Sequence, residues 1–235
     1  MPKTDPQAVL TLEQIKACTR VARATGPLPF ALFSWMYEFG ARAAEPGLQL
    51  LKDIDLANRR ARPTHLKAGA TKSWHVLLSG CKEALPAWMD ARPAFVIQHG
   101  QKPYLFPSRV PGRCYTCRGT GIRARLMTRP DGSRYDGDHV SCHHCGETGL
   151  RWGLSRFEVH AIISKILTTA GMPNNRTHPH VLRHSIISHL LDGGVPATTI
   201  RDRVGHRNLQ TTLNYAQMTD TAGIAMEKAL ERTRG

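Results

Sequence analysis

Apolar residues recur at helical spacing in several segments of the chain. Residues 12–24 carry apolar side chains at Leu12, Ile15 and Val21 with polar residues between them, which predicts an amphipathic helix. Residues 29–40 are apolar almost all round, which predicts a helix buried on every side. Ser155 and Glu158 have the spacing of a capping box, so a third helix is expected to begin there.

The segments between these helices have weaker patterns. Residues 48–56 have a strand-like composition, and residues 64–67 and 73–78 alternate like the two strands of a hairpin around 68–71. Residues 79–91 predict a helix interrupted at Pro86, because proline removes a helical hydrogen bond. Residues 92–112 contain four prolines and predict a loop-rich crossing.

The last third of the chain predicts three short helices in succession. Thr177 is the expected N-cap of the first helix. The second helix covers 196–204 and ends at Gly205, and Asn208 is expected to cap the third, which carries Tyr215. Several helices with a few short strands predict the α+β class, mostly α-helical with a small antiparallel sheet.

Charge narrows the class of partner. The 235 residues include 32 Lys and Arg against 18 Asp and Glu, giving a net charge of +14 and a pI near 10.0. Such a balance predicts an acidic polymer as the partner, most simply nucleic acid. The sequence contains no apolar run long enough for a membrane span and no apolar signal core at its start. We therefore expect no membrane association and a cytoplasmic, nucleoid-associated location.

Two Cys-x-x-Cys pairs interrupt the pattern in the middle of the chain: Cys114 with Cys117, and Cys142 with Cys145. Two such pairs predict a tetrahedral four-cysteine zinc site, with a hairpin between the pairs. Replacement ligands at His143 and His144, or redox activity of the pairs, are weaker alternatives.

The segment 113–149 is also rich in arginine, at Arg113, Arg118, Arg123, Arg125, Arg129 and Arg134. It is expected either to contact DNA or to be a folded insertion without such a role. A second basic cluster, Arg59, Arg60 and Arg62, is open in the same way, between a solvated face and a contact with the DNA backbone.

Residues suited to phosphate chemistry concentrate between 177 and 215. His180, Arg183 and His184 fall at i, i+3 and i+4, which puts them on one face of a helix. Guanidinium and imidazole groups donate hydrogen bonds to phosphate oxygens. The hydroxyl of Tyr215 can act as a nucleophile. Arg42 emerges from the predicted buried helix and therefore needs an anionic partner, either Glu45 or a bound phosphate.

Together these motifs resemble the tyrosine recombinase (phage integrase) family. The family's boxes correspond to Gly40, Arg42 and Glu45; His180, Arg183 and His184; Gly205 and His206; and Thr211, Thr212 and Tyr215. The resemblance implies that Arg42, His180, Arg183, His206 and Tyr215 are catalytic, with Glu45 and His184 as supporting residues. It also implies a catalytic lysine on the 64–78 hairpin, for which we favour Lys67 over Lys72.

The resemblance implies site-specific DNA recombination (integration, excision or inversion, as in mobile genetic elements) through a 3′-phosphotyrosine. It implies a homo-tetramer on double-stranded DNA and no divalent metal in catalysis, leaving Zn²⁺ as a structural cofactor. The expected organisation is a catalytic domain at 1–112 and 150–235, with the zinc ribbon 113–149 inserted.

The first catalytic arginine stands only at position 42, so we expect no N-terminal DNA-clamping domain. The ribbon or an accessory DNA-binding protein would then supply the grip. Two alternatives remain: nicking and resealing as by a type IB topoisomerase, and a non-enzymatic zinc DNA-binding protein on a recombinase scaffold.

Overall fold

A computed structural model describes residues 9–66, 73–92, 104–114, 116–142, 145 and 147–216. The described residues form seven α-helices: α1 (Leu12–Thr25), α2 (Pro27–Glu38), α3 (Ser79–Ala91), α4 (Arg156–Thr169), α5 (His180–Asp192), α6 (Ala197–Val204) and α7 (Leu209–Ala216). Among them, no helix is long and apolar enough to cross a bilayer. The mostly helical α+β class expected from the sequence is confirmed.

Helix α2 lies at the centre of the helical part and packs against α1, α3, α4 and α5. Phe33, Trp35 and Met36 are almost completely buried, as the all-round apolar pattern predicted. The carboxylate of Glu38, at the end of α2, accepts hydrogen bonds from the backbone N–H groups of Leu78 and Cys81. Glu38 therefore caps the N-terminus of α3. This contact joins residues far apart in sequence, so no local pattern predicts it.

The helix starts and ends expected from the sequence are mostly confirmed. Ser155 and Glu158 form the predicted capping box at α4. Helix α6 ends at Gly205 in the left-handed conformation, at φ 65°. Asn208 Oδ1 accepts a hydrogen bond from the backbone N–H of Gln210 at the start of α7. The predicted cap at Thr177 is wrong: its hydroxyl donates to the carbonyl of Asn174, and α5 begins one turn later, after Pro179.

The strand predicted at 48–56 is wrong over most of its length. Two 3₁₀ turns, Pro46–Leu48 and Leu51–Asp53, take its place, because the backbone N–H groups there bond to carbonyls three residues back. Gln49 and Leu50, between the two turns, are extended, and Leu50 forms an isolated β-bridge with Tyr104. Strand β1 covers only Ile54–Asp55. It pairs antiparallel with β2 (Arg60–Ala61), which pairs antiparallel with β3 (His75–Val76).

The predicted hairpin therefore has a different partner strand. β3 pairs with β2 rather than with residues 64–66, the part of the predicted strand that the structure describes. Pro63, just before them, cannot donate a hydrogen bond to a ladder. Lys67 and Lys72 both lie outside the described residues.

Helix α3 is not interrupted at Pro86. Pro86 is exposed, so water can satisfy the carbonyl that lacks a partner, while Leu85 and Trp88 hold the opposite face in the core.

The loop predicted at 92–112 ends in a strand. β4 (Pro107–Arg113) pairs antiparallel with β7 (Leu150–Gly153), from Pro107 opposite Gly153 to Arg113 opposite Leu150, with a register shift between. This pair forms a stem from which the predicted insert extends. Within the insert, β5 (Ile122–Thr128) and β6 (Arg134–Ser141) form the expected antiparallel hairpin.

Candidate active site

Arg42 follows directly on the turn that ends α2. Its backbone N–H and its Nη1 donate to the two carboxylate oxygens of Glu45, at 2.8 and 2.9 Å. The turn uses Gly40 at φ 54°, and a Cβ there would lie 3.0 Å from Val204 of α6 and 3.4 Å from Arg183 of α5. The glycine thus lets the end of α2 approach both helices closely.

Glu45 is almost fully buried. It holds Arg42 in place, and we call the segment 40–45 the Arg42 corner. Burial on its own raises the pKa of the carboxyl, but the neighbouring His65 and the contacts from Arg42 outweigh it and lower the pKa to about 2. The backbone N–H of Leu66 also donates to Glu45 Oε1, at 3.1 Å. Glu45 is therefore a permanent carboxylate that orients Arg42 and the chain entering the 67–72 segment.

His65 is a residue of this corner that the sequence did not single out. Its Nδ1 lies 3.7 Å from Glu45 Oε2, an ion-pair distance rather than a hydrogen bond. A Cβ at Gly205 would lie 2.2 Å from the ring of His65. Glycine is therefore required at position 205 for two reasons: the backbone has a positive φ there, and the His65 ring packs against it. This contact joins the Arg42 corner to the Gly205-His206 box.

Arg183 projects from α5 into the same region and is 4% exposed. Its Nη1 donates to the carbonyl of Gly40, while its buried Nη2 has no hydrogen-bond partner among the described residues. Burial first, and then the charge of Arg42, lower the pKa of Arg183 to about 10. Two neighbouring guanidinium groups with a buried, unused donor make a site that favours an anion.

The hydroxyl of Tyr215 meets this cationic region from α7. It is hydrogen-bonded to His184 Nδ1 at 2.7 Å, and the Tyr215 ring stacks on His206 with centroids 6.4 Å apart. Burial raises the pKa of Tyr215, and the charges of Arg183 and Arg42 oppose that rise. The pKa of His184 is lowered to about 4, by burial first and then by His180. His184 is thus neutral near pH 7 and able to accept a proton.

Of the two other histidines of the motifs, His206 lies beside Tyr215 and His180 lies beside His184. The ring of His180, on the first turn of α5, lies 6.2 Å from that of His184, and partial burial followed by the charge of Arg183 lowers its pKa. His206 Nδ1 is hydrogen-bonded to the hydroxyl of Thr212 at 2.8 Å. Burial, then Arg183 and Arg42, lower the pKa of His206 to about 3. Both rings are therefore neutral at physiological pH.

The structure brings Arg42, His180, Arg183, His206 and Tyr215 together within one chain. Arg42 lies just after α2 and His206 just after α6, while His180 and Arg183 are on α5 and Tyr215 is on α7. The direct partner of Tyr215 is His184, which the sequence suggested only as a support. Its position at i+4 from His180 is the one signal that could have indicated the contact.

The basic cluster beside β2 has partners of its own. Arg60 and Arg62 form ion pairs with Asp55 and Asp53, at 2.9 and 2.8 Å. Both guanidinium groups also stack on the ring of Trp74, at 4.7 and 4.6 Å from its centroid. These contacts favour a structural role for Arg60 and Arg62.

The four cysteines of the insert converge on one point. Their sulfur atoms all lie within 4.8 Å of one another, with Cys114 and Cys142 at 3.8 Å and Cys117 and Cys145 at 3.7 Å. A tetrahedral Zn²⁺ with bonds of about 2.3 Å needs sulfur atoms about 3.8 Å apart. The backbone N–H of Gly121 also donates to Cys117 Sγ, at 3.3 Å. The donor set therefore fits a metal ion; His143 and His144 lie outside the described residues.

Comparison with known proteins identifies the family that this chain resembles in sequence. The model of the phage integrase family matches residues 9–222. The tyrosine recombinase XerA of Thermococcus onnurineus is 35% identical over 97% of this chain and 64% of its own length. XerD of Caulobacter vibrioides is 28% identical over 78% of this chain and 47% of its own. The chain thus spans about a third to two thirds of the length of the curated relatives.

Solved structures share the fold. A crystal structure of XerA recombinase aligns with a TM-score of 0.64 and 19% identity, covering 94% of this chain and 62% of that one. The Tn1549 transposon integrase, solved in complex with circular intermediate DNA, aligns with a TM-score of 0.58 and 17% identity, over 92% of this chain and 61% of that one.

Proposed function

The chain belongs to the phage integrase family, and on that premise we propose that it is a tyrosine-type site-specific recombinase acting on double-stranded DNA. The observation that carries the proposal is Tyr215, buried within one chain with its hydroxyl hydrogen-bonded to His184, one residue after Arg183 on α5. The charges of Arg183 and Arg42 act on this hydroxyl and oppose the rise of its pKa. A nucleophile next to two cations and three neutral histidines suits the transfer of a phosphodiester to tyrosine.

In the proposed reaction the Tyr215 oxygen attacks the scissile phosphorus. The new P–O bond forms a 3′-phosphotyrosine, and the bond to the 5′-oxygen breaks. Arg42 and Arg183 donate hydrogen bonds to the non-bridging oxygens as negative charge grows on them. His206 adds a third donor: if its Nδ1 accepts from Thr212, its neutral ring carries the proton on Nε2.

The proton of the Tyr215 hydroxyl needs an acceptor as the oxygen attacks. The resemblance to the family favours His180 as this acceptor, and the 2.7 Å hydrogen bond supports His184 as the group that takes the proton first. His180 then completes the relay from its place beside His184. The 5′-oxygen leaves with a proton from a general acid, for which Lys67 stays the favoured residue and Lys72 the alternative.

Attack by an incoming 5′-hydroxyl reverses the step and rejoins the strand, so no hydrolysis and no divalent metal enter the proposal. A homo-tetramer on two duplexes, within the nucleoid, is the expected assembly, and a helper DNA-binding protein remains part of the hypothesis. We further propose that residues 1–112 and 150–235 form the catalytic domain and that residues 113–149 form an insert. Cys114, Cys117, Cys142 and Cys145 would hold a structural Zn²⁺ there, closing the ribbon at its base.

The test is incubation with a nicked suicide duplex, which loses the short strand after cleavage and traps the intermediate. The buffer contains no added divalent metal, and the zinc content of the protein is measured before and after. Wild type should form a covalent adduct on a denaturing gel and leave a 5′-hydroxyl, whereas Tyr215→Phe should bind the DNA and form none. An adduct with Tyr215→Phe, or none with DNA-bound wild type, would overturn the proposal.

A strand-exchange assay distinguishes a recombinase from the first alternative, an enzyme that only nicks and reseals DNA. Two differently labelled duplexes should yield recombinant products; adducts that only reseal on their own duplex would instead indicate a topoisomerase-like enzyme. DNA binding with no adduct at all would indicate the non-enzymatic zinc protein.

A further inference from the structure

The hairpin β5–β6 of the insert leaves most of its side chains in solvent. Ile122 is 47% exposed, Met127 37% and Tyr135 39%, although these apolar and aromatic side chains are of the kind that would form a core. The strands are seven and eight residues long and joined by a tight turn at Pro130–Ser133. A two-stranded ribbon that buries so little surface gains little stability from its own contacts. Its exposed side chains therefore need another explanation.

Arginines gather on one face of this ribbon. Alternate residues of a strand share a face, so Arg123, Arg125 and Met127 lie on one side of β5, with Arg125 at the register shift between Ala124 and Leu126. Across the ladder they meet Val140, opposite Arg123, and Tyr135, opposite Met127. The guanidinium of Arg129 lies 4.9 Å over the Tyr135 ring. We call the set Arg123, Arg125, Arg129 and Tyr135 the arginine face.

The arginine face is free to bind an anion. In the part of the chain that the structure describes, none of its three guanidinium groups is within ion-pair distance of a carboxylate. This differs from Arg60 and Arg62, which are both paired with aspartates. Unpaired guanidinium groups next to an aromatic ring are a common feature of nucleic-acid contacts.

A second feature of the insert points to phosphate. A groove of about 540 Å³ lies beside the cysteine knuckle, where Thr116, Arg118, Thr120, Arg123 and His139 contribute to its wall. Of the described residues that line it, none is acidic. Hydroxyl, imidazole and guanidinium donors around one concavity suit a backbone phosphate. Arg123 lies where this groove meets the arginine face, whereas Ala124 and His139, which are paired across the ladder, line the groove from the other side of the ribbon.

The shape of this surface favours double-stranded DNA over other acidic polymers. The major groove of B-DNA admits a two-stranded β-ribbon. Residues two apart along a strand are about 6.6 Å apart, close to the rise of two base pairs at about 3.4 Å each. The ideal strand spacing of Arg123 and Arg125 is therefore comparable with two base-pair steps.

We propose that the insert is a DNA-binding ribbon, with its arginine face in the major groove and a backbone phosphate in the knuckle groove. This inference rests on the proposed function in one respect: the duplex is the one that the catalytic site cleaves. It assigns to the insert a DNA contact separate from the cation cluster around Tyr215.

The test compares two triple variants of the full chain that remove the same charge. One is Arg123→Gln, Arg125→Gln and Arg129→Gln, on the arginine face. The control is Arg20→Gln and Arg156→Gln, on α1 and α4, together with Arg134→Gln at the end of β6, opposite Thr128 and so on the other face of the ribbon. Zinc content and unfolding midpoints are measured for both, so that loss of the ribbon fold is detected.

Affinity for a duplex substrate is measured between 50 and 300 mM salt. The arginine-face variant should bind about 10- to 100-fold more weakly near 150 mM salt, with a salt slope smaller by about 2 to 3. The control should stay within about threefold of wild type. At saturating DNA, the rate of adduct formation should be unchanged in both variants.

Wild-type affinity in the arginine-face variant, or an equal loss in both variants, would overturn the proposal. The outcome is independent of the proposed function. If the protein forms no adduct but loses affinity for DNA only in the arginine-face variant, DNA binding by the ribbon is supported and the recombinase proposal is refuted.

Discussion

Replacing Glu45 with glutamine tests the buried anchor of the active site. The change keeps the size of the side chain and removes its charge, which leaves Arg42, 19% exposed at its side chain, without a carboxylate. The pKa of Glu45 is held at about 2, against 4.5 for the free side chain. Since one pKa unit corresponds to about 1.4 kcal/mol, the ionised carboxylate stabilises the folded state by about 3 kcal/mol.

The pH dependence of this effect follows from its sign. A carboxyl whose pKa is lower in the folded state contributes its full stability above the unfolded pKa and loses it as the pH falls toward the folded pKa. Glu45→Gln should therefore be less stable than wild type by about 3 kcal/mol at pH 7. The gap should shrink to roughly half of that near pH 3.

Urea unfolding followed by tryptophan fluorescence at pH 7, 5 and 3.5 measures the gap. The control is Glu83→Gln, because the Glu83 ion pair with Arg23 is more than half exposed and should be worth less than about 1 kcal/mol. Single-turnover cleavage by Glu45→Gln should also fall at least tenfold, since Arg42 loses its orientation. A gap below 1 kcal/mol at pH 7, or an equal gap at pH 7 and 3.5, would refute the reasoning.

Three further predictions concern other parts of the molecule. Gly205→Ala should destabilise the fold by more than about 2 kcal/mol, because a Cβ would lie 2.2 Å from His65 at a positive φ, whereas Gly132→Ala, with open space around it, should cost about 1 kcal/mol in urea unfolding. His184→Phe keeps a ring but loses the acceptor for Tyr215, so single-turnover cleavage should fall about 100-fold or more, and wild-type cleavage should persist below pH 6 because the pKa of His184 is about 4; an unchanged rate in the variant would contradict this role. Atomic absorption should find one zinc per chain in wild type and much less in Cys142→Ser, with no loss in Cys18→Ser, whose thiol is far along the chain from the four-sulfur cluster.

Local patterns indicated those features whose cause is local. The all-round apolar run predicted α2, and the Ser155–Glu158 spacing predicted the start of α4. Gly205 marked the end of α6, and Asn208 marked the start of α7. The spacing of the four cysteines likewise anticipated a cluster with metal-ligand distances.

Features that depend on distant residues were missed or misassigned. The run 48–56 became 3₁₀ turns, with the Gln49 side chain bonded to the backbone at Arg62 and Thr64, contacts that no short window contains. In the same way, the packing of His65 against Gly205 joins positions far apart in sequence. The motifs therefore predicted which residues form the site. Which of those side chains are in contact depends on the tertiary packing, which the motifs do not contain.

The central claim is that one chain holds both the nucleophile and the cations that it needs. Its most direct test is the yield of covalent adduct on the suicide duplex from an equimolar mixture of Tyr215→Phe and Arg183→Gln, with wild type as the positive control. We predict that the mixture forms no more adduct than either variant alone, because neither protomer has a complete site. Restored cleavage in the mixture would mean that the tyrosine acts on the arginines of a neighbouring chain, and it would contradict the account.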